Sequence, residues 1–197
     1  EGIGRDDKPF TIRFNEASSG IQTVLPLVAV MLYYTEKFDI VKRFNQSIFK
    51  MLSETDNLKD FRPQMNIGEI GHRRVNFLIE EPELSLDPDS QTHLIDFMVS
   101  RCFGKAADSG SDYTIMLATH SPYIVNYLNL LIAKNKNGQK NGVAFEDINV
   151  YHVDQGRCYS LRIGDGHDII DASSMSETIS NIYAEYNQLN DGAVAKE

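Results

Sequence analysis

Twice in this chain an apolar run breaks directly into polar residues and then into a helix start of the form Xaa-Pro. Residues 76–88 read NFLIEEPELSLDP, and residues 114–122 read TIMLATHSP. Val75–Ile79 and Tyr113–Ala118 suit strands. Asp87 and Ser121 are good helix N-caps, each followed by a proline at the first helical position, where a missing N–H costs nothing. Strands alternating with helices from 75 to 133 predict a parallel sheet with crossover helices. In such sheets ligands sit beyond the carboxyl ends of the strands. Glu80, Glu81 and His120 follow two such ends, so the pattern predicts that they lie side by side.

Adjacent carboxylates at the end of a buried strand repel each other, and that local cost suggests a role for them. The expected role is to face a divalent metal and a water beside a nucleotide phosphate. A bare Glu-Glu is more often a solvated turn.

Elsewhere the patterning is more ordinary. Phe10–Phe14 alternates as a strand does. Residues 21–34 are apolar nearly all round, with Leu25, Val28 and Leu32 at helical spacing, which predicts a buried helix capped by Ser18 or Ser19. Residues 36–52 continue in a helical pattern, and 53–74 read as a loop or inserted excursion. Ile148–Val153 and Cys158–Ile163 flank Asp154-Gln-Gly156 as a hairpin. Ser174 and Glu177 form a capping-box pattern before a last helix over about 175–189. A disordered tail is expected from Asn190.

Among 197 residues the formal net charge is −9, which makes the chain a poor nonspecific binder of nucleic acid. Arg73-Arg74 and the group Lys134, Lys136, Lys140 are short enough to be solvated loops. No apolar run approaches a membrane span, and the first ten residues are polar and charged; the cysteine usage is what suggests a cytoplasmic protein. Cys102 and Cys158 are far apart and form no CxxC pattern, in keeping with a reducing compartment.

Three constellations stand in order: Ala17-Ser-Ser-Gly-Ile-Gln22, Ile79-Glu-Glu-Pro-Glu-Leu-Ser-Leu-Asp87, and Ala118-Thr-His-Ser-Pro122. In that order the chain resembles the nucleotide-binding heads of ABC-type ATPases. They look like the signature motif, Walker B running into the D-loop, and the H-loop. The Glu-Glu-Pro-Glu form resembles the OLD-like and SMC-like soluble ATPases of DNA repair and phage defence. Pro82 and the Asp87-Pro88 pair stand at the spacing of the ABC-type ATPase family that the chain resembles, and that resemblance favours the functional reading of the two glutamates. The resemblance covers about residues 10–133 and implies a P-loop NTPase-like α/β fold, here partial, followed by the β-hairpin and last helix. It implies one ATPase-domain portion over 1–189, with a helical insertion at about 36–74 and a tail at 190–197.

By that resemblance Glu80 would hold Mg²⁺ through water, where most relatives place Asp. Glu81 would orient and deprotonate the attacking water. His120 would hydrogen-bond the γ-phosphate of ATP. Ser18, Ser19 and Gly20 would touch the γ-phosphate of a partner head's nucleotide with hydroxyl, backbone N–H groups and helix dipole. Ser19 stands where glycine is commoner. Asp87 would reach across the dimer interface as well as capping its helix, and Glu83 is either part of the site or a surface acid.

The chain contains no G-x-x-x-x-G-K followed by Ser or Thr, so no nest of N–H groups for the phosphates is encoded in it. In ABC-type heads that loop lies N-terminal to the signature. The resemblance therefore implies the C-terminal part of a longer ATPase, inactive alone, working as a homodimer of heads on DNA or an effector protein. Two alternatives stand beside it. One is a non-catalytic ATPase-fold module for dimerisation or scaffolding. The other is a metal-dependent nuclease built on Glu80, Glu81 and Glu83, for which Asp165-Gly-His-Asp168 reads as a turn and supplies no further ligands.

Overall fold

The computed structural model describes residues 2–3, 9–54, 73–104, 111–164 and 166–194. Most of the expected excursion at 53–74, Asp165, and residues 195–197 of the expected tail lie outside the described residues. The chain is mixed α/β and divides into two compact units. The first comprises Glu1–Leu86 and Phe97–Ala118, the second Asp87–Asp96 and Thr119–Glu197.

The first unit opens with β1 (Gly2–Ile3) and β2 (Pro9–Phe10), which pair antiparallel. The strand expected over Phe10–Phe14 does not form: only Phe10 joins a ladder, and Phe14–Glu16 make a 3₁₀ turn. Ile12 and Phe14 are both exposed, so no covered face holds the alternating pattern as a strand. Helix α1 (Ser19–Leu32) begins at the predicted cap, with the Ile21 N–H donating to Ser18 Oγ at 3.5 Å. A π-type turn, Tyr33–Lys37, separates it from α2 (Ile40–Glu54). The helix expected over 36–52 is thus interrupted at Phe38, whose backbone is extended and whose N–H donates to Tyr33 O at 2.8 Å. Asp39 restarts the helix by accepting the Lys42 N–H at 2.9 Å.

Strand β3 (Arg73–Glu80) pairs parallel with β4 (Ser111–Ala118), and α3 (Pro88–Phe103) lies between them in the chain. This βαβ order meets the expectation from the two apolar runs. The covered face carries Val75, Phe77 and Ile79 with Tyr113, Ile115 and Leu117. The Phe77 and Tyr113 rings stack at 6.4 Å, and Tyr34 meets Phe77 edge-on at 6.4 Å. The apolar runs suggest buried strands, yet one face of the pair is exposed. Leu78 and Met116, paired directly across the ladder, are 74% and 64% exposed. Nor is α1 buried throughout: Met31 is fully buried, but Ile21, Leu25 and Val30 are exposed. Two paired strands are only about 5 Å apart, too narrow a platform to cover an all-apolar helix.

The second unit contains α4 (Pro122–Lys136) and four short strands, of which the first two form an exposed hairpin. Hairpin β5 (Tyr151–Asp154) and β6 (Arg157–Ser160) turns at Gln155 and Gly156. Both turn residues have positive φ (45° and 75°), the type I′ signature that matches strand twist. The predicted hairpin arms were longer. Residues 148–150 fall outside the ladder, and β7 (Arg162–Ile163) pairs instead with β8 (Ile169–Ile170). Val125 and Ile132 of α4 pack with Phe145, Ile170 and Ala172, flanked by Ile148, Val150, Leu161 and Met175. The Asn129 carboxamide donates to Ile170 O at 2.9 Å and accepts the Ile170 N–H at 2.7 Å, standing in for a further strand at β8.

Helix α5 (Ser173–Val194) starts one residue before Ser174, so the expected capping box is displaced. The Asp171 carboxylate accepts the Ser173 N–H at 2.9 Å instead. The helix also runs five residues past its predicted end, into the segment expected to be a tail.

Candidate functional site

The first unit holds the Ser-Ser-Gly motif and the two glutamates. In β3 the ladder runs to Glu80, opposite Ala118, and the Glu81 N–H extends it by donating to Ala118 O at 2.8 Å. The chain then reverses in a turn closed by Leu84 N–H to Glu81 O (3.0 Å) and Leu86 N–H to Glu83 O (2.9 Å). Two non-glycine residues of this turn are left-handed, Glu81 at φ 47° and Ser85 at φ 62°. Such conformations cost about 1–3 kcal/mol each and persist where the surroundings over-determine them, often at functional sites. Pro82 is buried beneath the turn, while the side chains of Glu80 and Glu81 are exposed and that of Glu83 is half-buried.

Gly20, in the first turn of α1, abuts this same turn. A Cβ placed on it would stand 2.8 Å from Ser85 O and 3.3 Å from the Leu86 side chain. Its lack of a side chain therefore has a structural reason within the unit. Ser18 is occupied as the α1 cap, and the Ser19 carbonyl accepts the Thr23 hydroxyl at 2.9 Å. The structure thus joins the Ser18–Gly20 motif to the turn after Glu81, a juxtaposition the sequence reading had not foreseen. A glycine among the small polar residues of the helix start was the available signal for close backbone approach.

The second unit holds Asp87 and His120. Asp87 caps α3 fully: Oδ1 accepts the Ser90 N–H at 3.1 Å and Oδ2 the Ser90 hydroxyl at 2.6 Å. These bonds hold its carboxyl below the ordinary value, the side-chain bond from Ser90 most of all. His120 is exposed in the link from β4 to α4, two residues after Ala118. The next residue is buried: Ser121 accepts the Ile124 N–H at 3.3 Å and donates to Gln91 Oε1 at 2.5 Å. This buried pair, also not anticipated, anchors the segment that carries His120.

Among the described residues no group of three or more His, Cys, Asp or Glu side chains is placed to hold a metal ion. The donor chemistry of Glu80 and Glu81 fits Mg²⁺ of the kind held by one or two carboxylates with water and substrate phosphate oxygens, not an all-protein cage. Two clefts lie elsewhere. One, of about 320 Å³, is lined by Asn129, Ile163, Ile170 and Ser173. The other, of about 530 Å³, is lined by Val30, Tyr34, Arg74 and Phe77. Neither contains a motif residue. No helix among the described residues is long and apolar enough to cross a membrane. No protein-family model, curated protein or solved structure matches this chain.

Proposed function

We propose that this chain forms part of an ABC-type ATP-hydrolysing head of the OLD-like and SMC-like kind, with a P-loop NTPase-like sheet begun by β3 and β4. The observation that carries the reading is the left-handed backbone of Glu81 at the carboxyl end of a parallel strand. A glutamate in that conformation carries a backbone cost, and its side chain stands exposed at the end of the strand.

In this reading the Glu81 carboxylate positions a water and accepts its proton as the water attacks the γ-phosphate. Glu80 holds Mg²⁺ through water, and the bound ion would neutralise charge on the phosphate oxygens. His120 donates to the γ-phosphate. Ser18, Ser19 and Gly20 offer hydroxyls and the α1 N-terminus to a nucleotide bound by a second head. Asp87 caps α3 and reaches across the interface between the two heads. The phosphate nest comes from a Walker A loop outside these residues, and ATP-driven pairing of heads transmits work to DNA or an effector.

The test is ATP hydrolysis by the gene product that carries this chain, before and after Glu81→Gln. Loss of turnover with retained Mg-ATP binding is expected, and unchanged turnover overturns the assignment.

A non-catalytic scaffold is the second reading, favoured by the structural work already done by Gly20 and Asp87. Reading the coding sequence upstream of Glu1 for a P-loop separates the two.

A further inference from the structure

Among the described residues, tyrosine and cysteine aside, Gln91 and Ser121 are the two polar residues that are buried, at 8% and 5% exposure. They are bonded to each other. The Ser121 hydroxyl donates to Gln91 Oε1 at 2.5 Å, across 30 residues of chain. A buried polar pair gains little stability over an apolar pair of the same shape, because both groups must first leave water. What it gains is position. A hydrogen bond holds only over a narrow range of distance and angle, whereas apolar contacts can slide.

The pair joins two elements of the second unit. Gln91 ends the first turn of α3, and its backbone N–H donates to Asp87 O at 3.0 Å. That turn is itself held, because the Asp87 carboxylate accepts both Ser90 donors. At the other end, Ser121 borders His120. Its Oγ accepts the Ile124 N–H as the cap of α4, and its own N–H donates to Thr119 Oγ1 at 3.0 Å. A hydrogen bond therefore closes across His120, whose side chain stands exposed while the residue after it is buried. His120 rides on a short turn that belongs to no strand or helix, and the Gln91–Ser121 bond ties that turn to the start of α3.

Within the ATPase reading, on which this inference rests, we propose that Gln91 is a positioning residue for hydrolysis. Through Ser121 it fixes the Thr119–Ser121 turn against the capped start of α3, and so sets where His120 meets the γ-phosphate. Gln91 acts only through Ser121. Its contribution is geometric, and a displacement of about 1 Å at a reacting centre can cost about a hundredfold in rate.

The test is steady-state ATP hydrolysis by the gene product that carries this chain, each variant assayed below its own melting temperature. Gln91→Met, which removes the acceptor at similar volume, is expected to lower kcat about tenfold to a hundredfold with KM for ATP within about twofold. Ser121→Ala, which breaks the same bond from the other end, is expected to lower kcat likewise. In a His120→Ala background, Gln91→Met is expected to cost less than about twofold more, because the group it positions is gone. An equal loss in both backgrounds makes the pair a structural anchor only and overturns the proposal. Wild-type kcat in Gln91→Met and Ser121→Ala, with turnover lost in Glu81→Gln and His120→Ala, overturns this proposal alone. Unchanged turnover in Glu81→Gln and His120→Ala overturns the ATPase reading, and this proposal with it.

Discussion

Gly20 lies where a Cβ would stand 2.8 Å from the Ser85 carbonyl oxygen, so the first turn of α1 and the turn after β3 meet backbone to backbone. Substituting alanine sets two effects against each other. Helix propensity improves by up to about 1 kcal/mol. Overpacking against an atom that cannot rotate away costs about 1–3 kcal/mol. The clash is expected to win, because the obstacle is backbone rather than a flexible side chain. Gly20→Ala should lower the urea midpoint without changing the slope, and an unchanged or higher midpoint would show that the two turns separate freely.

Glu81 offers a stability and activity trade-off. Glycine adopts φ near 47° without the Cβ penalty. Glu81→Gly should therefore stabilise the first unit by about 1 kcal/mol. Glu81→Gln keeps the Cβ and should leave stability within about 0.5 kcal/mol. Both remove the carboxylate and should abolish hydrolysis alike. Parallel unfolding and turnover measurements on the two variants separate backbone strain from chemistry.

The low-pH limb of stability should report on two caps. Asp87 and Asp171 have folded-state carboxyls held below their ordinary value, by the side-chain and then the backbone bonds from Ser90 and from Ser173 respectively. A depressed carboxylate contributes stability above its unfolded pKa, near 3.9, and that contribution disappears as pH falls through the folded value. Asp87→Asn and Asp171→Asn should each flatten the fall in melting temperature below about pH 4. Identical acid limbs in wild type and variants would refute the linkage.

Asn129 serves Ile170 as donor and acceptor at once. Asn129→Ala leaves both backbone groups of a buried residue without this partner, at about 1–3 kcal/mol for each group that water does not reach. Asn129→Asp keeps the acceptor for the Ile170 N–H and should lose less. Hydrogen exchange at the Ile170 amide should accelerate in the alanine variant, and unaltered protection there would exclude the proposed strand-like role.

Cys102 is buried, and burial pushes its thiol up to about 11. At pH 8 almost none of it is thiolate, and the nucleophile is the thiolate. Cys158 is exposed. A disulfide exchange reagent should titrate one thiol in the native chain and two after denaturation. Rapid reaction of both in the native state would mean that α3 opens readily.

Much of the local structure was legible because it depends on neighbours in the chain. Ser18, Asp87 and Ser121 cap helices where a short polar side chain precedes an apolar period, and Pro88 and Pro122 begin helices because they need no N–H donor there. The Gln155-Gly156 turn follows from backbone freedom alone. Features that depend on distant partners were not legible. Phe10–Phe14 alternates as a strand does but finds no sheet face to cover it. The helical pattern through residues 36–52 breaks at Phe38, within an aromatic cluster of Tyr33, Tyr34 and Phe38.

The sequence by itself determined the βαβ order, the helix starts at Pro88 and Pro122, and that Glu80 and Glu81 stand at the end of the first strand, whereas both strands begin two residues earlier than the apolar runs suggest. Periodicity, caps and proline are local terms, each read within a few residues. Only the tertiary structure decided that Glu81 is left-handed, that Gly20 abuts Ser85, and that Leu78 and Met116 remain exposed. Those outcomes rest on which surfaces meet, and contact between residues far apart in the chain leaves no periodic mark in either partner.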